Sequence, residues 1–274
     1  MSRYLAAAFA LLAMGLCAPH LEAGATSTSV ELTPLTLELG LSPGSSHTGN
    51  VTVTNPGTAA EHLRVYLQDW TLKADGVIVF AAAGKLPGSA CSWIDVAPTE
   101  FDLKPGGSAT VRYTIRVPAA APPETRAVIL FESNAQIVQA PAGPSRLVPR
   151  VGTVLYVMTA PAAAPRARVR EFGVSPDGGL FVIENAGETH LRFTGHLEVR
   201  SGPELVRQKD LTPFVLLPPP FCVRRTPLPK DWFADLAPGS YQVTVVLDCG
   251  GPSLLGAQTA LIVPGDVPVM AVKK

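Results

Sequence analysis

The chain has 274 residues, 47% of them hydrophobic, and balances 22 Lys plus Arg against 22 Asp plus Glu. With no surplus of cations to neutralise phosphates, nucleic acid and an anionic membrane surface are excluded as principal partners, and proteins are favoured. After the first residues no apolar run reaches the roughly 18 to 20 residues of a spanning helix, because charge, Pro or Gly interrupts each one, so no membrane span is expected.

In chain order, the first element is an export signal. Arg3 supplies a positive start, "YLAAAFALLAMGLCA" an apolar core too short to span a bilayer, and "EAGA" places Ala23 and Ala25 at the small-residue positions of a cleavage site. Residues 1–25 therefore read as a cleaved Sec signal peptide. A lipoprotein signal using Cys17 is the rival, but Leu16 stands where a small residue is required.

The mature chain then reads as strand after strand. Segments 30–39, 48–55, 61–72, 76–82, 108–117 and 124–133, and "SRLVPRVGTVLYVM" at 145–158, alternate apolar with polar residues and are separated by turn signals such as "SPGSS", "NPG", "KADG" and "KPGG". Leu63, Val65 and Leu67 share one face of their strand, as do Val111, Tyr113 and Ile115, which predicts a core on one side and water on the other. The 145–158 stretch reads as one long strand. Leu147, Pro149, Val151, Thr153, Leu155 and Val157 line one face of it, longer than an average strand needs.

After "TAPAAAPRA", a proline-rich joining segment, the pattern restarts at 166–174, 179–187, 191–201, 205–211, 220–228, 239–250 and 256–265. Tyr241, Val243, Val245 and Leu247 form its clearest inward face. Helical periodicity is missing from the mature chain, and 27 prolines oppose it. The fold class is all-β: two tandem immunoglobulin-like sandwiches after the signal, at 26–160 and 165–264.

Cys91, Cys222 and Cys249 remain in the mature chain, an odd number without CxxC or zinc-finger spacing. Cys222 and Cys249 lie in strand-like segments of one half, so either they form a disulfide, leaving Cys91 free, or all are small buried thiols. Gly40-Leu41-Ser42-Pro43-Gly44 fits G-x-S-x-G, but Pro43 leads into another strand instead of the helix a nucleophile elbow requires. His47, His62, His190 and His196 read as scattered surface histidines with no third ligand at metal spacing. "SPDGG" at 175–179 is a turn without a calcium-ligand series. No catalytic residues, metal site or cofactor follow from the sequence, and an enzyme is not expected.

With its strands placed, the first unit resembles the periplasmic pilus-assembly chaperones of the PapD-like type. The likeness is carried in order by "NVTVTNPG" (50–57), "HLRVYLQDWTLKADG" (62–76), "WIDVAPTEFDLKPGGSATVRYTI" (93–115), "PPETRAVILFES" (122–133) and the long strand ending at Ala160-Pro161. It covers most of 30–161 and, more loosely, 165–264. It implies a periplasmic chaperone that caps an incomplete β-sandwich subunit by donating its long strand, with a pilin-like or fibre subunit protein as partner and an outer-membrane usher as a second one. The donor positions implied are Leu147, Pro149 and Val151, while Leu155 and Val157 belong to the chaperone's own core. The family's cleft Arg and Lys, which anchor the subunit's terminal carboxylate, are missing: Pro34-Leu35-Thr36 and Tyr156 stand in their places. Arg112 and Arg150 are the candidate replacements, and the long 134–146 loop is a candidate client contact. The competing reading is an exported structural or adhesive module without chaperone activity.

Overall fold

Side chains that alternate apolar and polar can satisfy both halves of a strand only if one face is buried and the other wet. The computed structural model describes residues 30–140, 143–159 and 164–265; the expected export signal, Cys17 and Ala160-Pro161 lie outside them. Within these residues the first half forms β1 (Glu31–Thr33), β2 (Thr36–Gly40), β3 (Ser46–Thr54), β4 (Glu61–Leu72), β5 (Ile78–Ala82), β6 (Ile94–Ala97), β7 (Glu100–Leu103), β8 (Ser108–Arg116), β9 (Glu124–Ser133), β10 (Gln136–Ala140), β11 (Gly143–Leu147) and β12 (Arg150–Met158). The second half forms β13 (Ala167–Ser175), β14 (Gly178–Asn185), β15 (Leu191–Ser201), β16 (Glu204–Asp210), β17 (Phe214–Leu216), β18 (Val223–Leu228), β19 (Gly239–Asp248) and β20 (Leu255–Val263).

In the first half, the sheet β1-β3-β8-β6 faces the sheet β2-β12-β9-β4-β5, with β7 beside the start of β4. Val51, Val111 and Ile115 from one sheet meet Leu63, Ile129, Phe131 and Leu155 from the other. In the second half, β13-β14-β18 faces β16-β15-β19-β20, and Phe181 and Ile183 meet Phe193, Leu197, Val243 and Leu247. Two sheets closed over one core, twice, give two immunoglobulin-like sandwiches. The predicted inward faces hold: Leu63, Val65, Val111, Tyr113, Ile115, Tyr241, Val243, Val245 and Leu247 are buried, and Leu67 packs half-buried against the first core.

The two halves also repeat one local device. Asn55 follows β3 and Asn185 ends β14, both buried. The Asn55 amide donates to the Ala59, Leu103 and Lys104 carbonyls and its oxygen accepts the Gly57 N–H. Asn185 does the same with Thr189, Leu216, Leu217 and the Gly187 N–H. One side chain thus satisfies the carbonyls of a strand end that would otherwise be buried unpaired. In the second half the Tyr241 hydroxyl donates back to the Ala237 carbonyl at 2.8 Å, the tyrosine corner of such sandwiches.

Some expectations change. The stretch 30–39 is not one strand: the chain leaves β1 at Pro34 and crosses to the opposite sheet, where β2 runs parallel to β12. The stretch 145–158 is likewise divided at Val148 and Pro149, with β11 folded back on β10 as a separate two-stranded ribbon. Cys222 and Cys249 are not bonded; both, like Cys91, are free thiols. Cys222 precedes β18 with its Sγ 3.9 Å from Glu184 Oε1, whereas Cys249 follows β19 in the facing sheet and packs on the second core. Gly40 to Gly44 form a turn into β3, closed by Ser45 N–H donating to the Ser42 carbonyl.

Candidate functional site

β12 is paired differently along its two edges. On one edge it pairs antiparallel with β9 along its whole length, from Arg150 opposite Glu132 to Met158 opposite Glu124. On the other edge β2 covers only Val154 to Met158, helped by Val154 N–H donating to the Leu35 carbonyl and Thr153 Oγ1 donating to the Pro34 carbonyl. Backbone groups alternate sides along a strand. Since Val154 points its N–H at β2, Arg150 and Gly152 point theirs the same way, where no described strand meets them. Pro149 belongs to the opposite set, with its carbonyl accepting the Ser133 N–H at 3.0 Å, so its missing N–H takes nothing from the open edge.

Side chains follow the same alternation. Leu155 and Val157 are fully buried in the first core, as expected, and Val151 packs at its rim. Pro149 is half-buried and Leu147 is 49% exposed. Across the β10–β11 ribbon, Ile137 is 70% exposed. The apolar residues therefore grade from core to rim along β12 and recur half-exposed at Leu147 on the separate β11, while Ile137, which opposes Arg146, lies on the other face of the ribbon. Gly152 lies so close over the neighbouring strand that an added Cβ would sit 2.7 Å from Val128 Cγ2, which holds β12 tight against β9.

Neither Arg112 nor Arg150 lines the cleft between the sandwiches. Arg112 is exposed on the outer face of β8, in the other sheet. Arg150 is bound by its Nε to Glu132 at 2.7 Å. Glu132 also accepts the Tyr66 hydroxyl, which, with Arg150 and Arg64, holds its carboxyl below the usual range against the opposing effect of burial.

The cleft between the sandwiches gathers different residues. Trp70, Val128, Leu130 and Tyr156 on the outer face of the first unit pack against Leu217 of the second. Trp70 and Tyr156 meet edge to face at 5.5 Å, and His190 stacks on Tyr156 at 3.9 Å. His190, expected at the surface, is buried: its backbone N–H and its Nδ1 both donate to Glu124 Oε2 at 2.7 Å. Arg192 Nε donates to Glu38 Oε1 at 2.7 Å while its guanidinium lies 5.9 Å from the Tyr156 ring centre. Burial pushes the Tyr156 phenol up, so it stays neutral.

Beside these contacts is a cavity of about 300 Å³ lined by Thr36, Trp70, Val154, Tyr156, Arg192 and Arg224, among others. Arg224 rests 5.1 Å from the Phe214 ring centre, its buried Nε has no hydrogen-bond partner, and burial lowers its basicity. Trp70 Nε1 is likewise buried without a partner. The cavity therefore holds two guanidiniums next to Thr36 and Tyr156, the places where the family resemblance puts an Arg and a Lys. Sequence reading missed Arg192 and Arg224 because they come from the second sandwich and belong to no local motif.

No family model and no curated protein matches the chain. Solved structures do match it. The YadV chaperone is similar at 13% identity and a TM-score of 0.48, covering 84% of this chain and 99% of its own. The class 5 fimbriae chaperone CfaA is similar at 13% identity and 0.44, covering 86% and 100%. The CupB2 chaperone of Pseudomonas aeruginosa is similar at 13% and 0.43, covering 84% and 100%. Among the described residues no helix is long and apolar enough to cross a membrane.

Proposed function

We propose that the protein is a periplasmic chaperone for pilus or surface-fibre subunits, exported by residues 1–25, that caps an incomplete β-sandwich subunit by donor-strand complementation. The observation that carries this reading is the half-covered state of β12: paired by β2 from Val154 onward, open at Arg150 to Gly152, and preceded by the half-buried Pro149 and half-exposed Leu147. An incoming strand would take its main-chain hydrogen bonds from Arg150 and Gly152, and its groove would receive Val151, Pro149 and Leu147. The subunit's terminal carboxylate would meet Arg192 and Arg224 in the cleft; their position supports them for this role over Arg112 and Arg150. An outer-membrane usher would then receive the loaded complex. No catalytic chemistry is needed for this.

The test is co-expression with a fibre subunit lacking its last strand, followed by purification from the periplasm. A stable one-to-one complex that depends on the open edge is expected. A chain that retains no subunit but self-associates at the cell surface would move the exported adhesive module ahead.

A further inference from the structure

Charged residues line up across the outer face of the sheet that contains β12. In the register of the strands, Glu100 of β7 stands opposite Arg64 of β4, Arg64 opposite Glu132 of β9, and Glu132 opposite Arg150 of β12. The signs alternate along this row, the order that neighbouring strands favour. Glu132 meets Arg150 Nε at 2.7 Å and Arg64 Nη1 at 3.4 Å, while Glu100 is held by His62 Nε2 at 2.7 Å. The row stops at Arg150. No described strand lies beyond it, because β2 covers β12 only from Val154 onward.

Nothing among the described residues balances the charge at this end of the row. Arg150 is engaged through its Nε alone, which leaves the donors of its two terminal nitrogens available. Arg146 of β11 is exposed and has no acidic partner among the described residues. These two side chains, with Arg64, Glu132, Asn134 and Val148 among others, line a cavity of about 330 Å³ between the β10–β11 ribbon and the sheet. Arg64, Arg146 and Arg150 outnumber the single carboxylate of Glu132 there, so the cavity attracts anions.

A strand added at the open edge of β12 sets one side chain beside Arg150 on the same face of the sheet, since residues opposite each other on neighbouring strands share a side. That side chain continues the alternating row and sits at the mouth of the cationic cavity, where a carboxylate can take charge-assisted hydrogen bonds from a guanidinium. We propose, building on the strand-donation reading above, that the protein selects client strands carrying an Asp or Glu opposite Arg150, whose carboxylate Arg150 and Arg146 bind together. This group lies within the client strand and is separate from the terminal carboxylate proposed to meet Arg192 and Arg224.

The probes are short peptides of alternating threonine and valine, acetylated and amidated so that neither end is charged, with Glu, Gln or Lys in place of a central threonine. Titration into the purified protein is followed by the amide resonances of Arg150 and Gly152. At about 10 mM salt the Glu peptide should bind about five times more tightly than the Gln peptide, and the Lys peptide about five times more weakly. The preference should fade near about 1 M salt, where the screening length has shrunk from roughly 30 to roughly 3 Å. Arg150→Gln and Arg146→Gln should each reduce it, and the double variant should remove it. Equal affinities for three peptides that all shift Gly152, or a Glu preference that survives in the double variant, would overturn the proposal and leave strand donation standing. No shift of Gly152 with any of the peptides would overturn strand donation at this edge, and the proposal with it.

Discussion

Replacing Leu147 by Ser separates binding from folding at the open edge. Leu147 is 49% exposed, so about half of its apolar surface is already buried in the free chain. Full burial of a leucine side chain is worth roughly 1.5 to 3 kcal/mol, which leaves about 1 kcal/mol to be gained when a subunit covers the rest. Leu147→Ser should therefore raise the Kd for a subunit about fivefold while changing unfolding free energy by less than about 1 kcal/mol. Val151 sits at the rim of the core, so adding Val151→Ser should weaken binding further, to about thirtyfold in all, and cost about 1 kcal/mol in folding. Calorimetric titration with a subunit, beside urea unfolding of the free chain, gives both quantities. If Leu147→Ser lowers stability by more than about 2 kcal/mol and leaves affinity unchanged, Leu147 belongs to the core and the donor-strand reasoning fails.

Three further outcomes follow from the packing. Gly152→Ala should destabilise the chain by about 1 to 3 kcal/mol in urea unfolding, because its Cβ would meet Val128 Cγ2 at 2.7 Å and Leu130 Cδ2 at 3.0 Å. Asp69→Ala should cost about 2 to 4 kcal/mol, since the buried carboxylate accepts from the Lys85 and Leu86 N–H groups, Ser89 Oγ and Cys91 Sγ, all of which would lose their acceptor. Stability should decline from about pH 5 downward: burial alone would raise the Asp69 pKa, but hydrogen bonds from Ser89 and the loop backbone lower it overall, and Glu132 and Glu184 are lowered by Tyr66 and by Arg170 and Arg168. Such groups favour the fold fully above their unfolded pKa and lose that contribution as pH falls through the folded one, so a urea midpoint flat from pH 7 to 3 would contradict this.

Alternation made the strands legible in the sequence, and Leu63, Val65, Val111, Ile115 and Val243 are buried as their period predicts. It reports which face of a strand is dry, not which strand lies beside it. Hence Pro34 was invisible as the point where the chain changes sheets, and β6, β7 and β17, each of three or four residues, are too short to show a period. Pro149 was visible, but its harmlessness depends on which way its backbone faces, a matter of register with Ser133. The core half of the candidate edge, Leu155 and Val157, was readable from their continuous apolar row. The cleft was not: His190 and Arg192 meet Glu124, Glu38 and Tyr156 of the other sandwich, Arg224 lines a cavity with Trp70, and no spacing within either half encodes that meeting.

Hydrogen exchange at the amides of β12, measured with and without a bound subunit, tests the central claim most directly. In the free chain the Arg150 and Gly152 N–H groups face the open edge and should exchange far faster than those of Val151 and Thr153, which face β9. Strand donation predicts that a bound subunit slows Arg150 and Gly152 to the level of their neighbours. A subunit that binds tightly while Arg150 and Gly152 continue to exchange as in the free chain would show that the client is held elsewhere and would contradict the account.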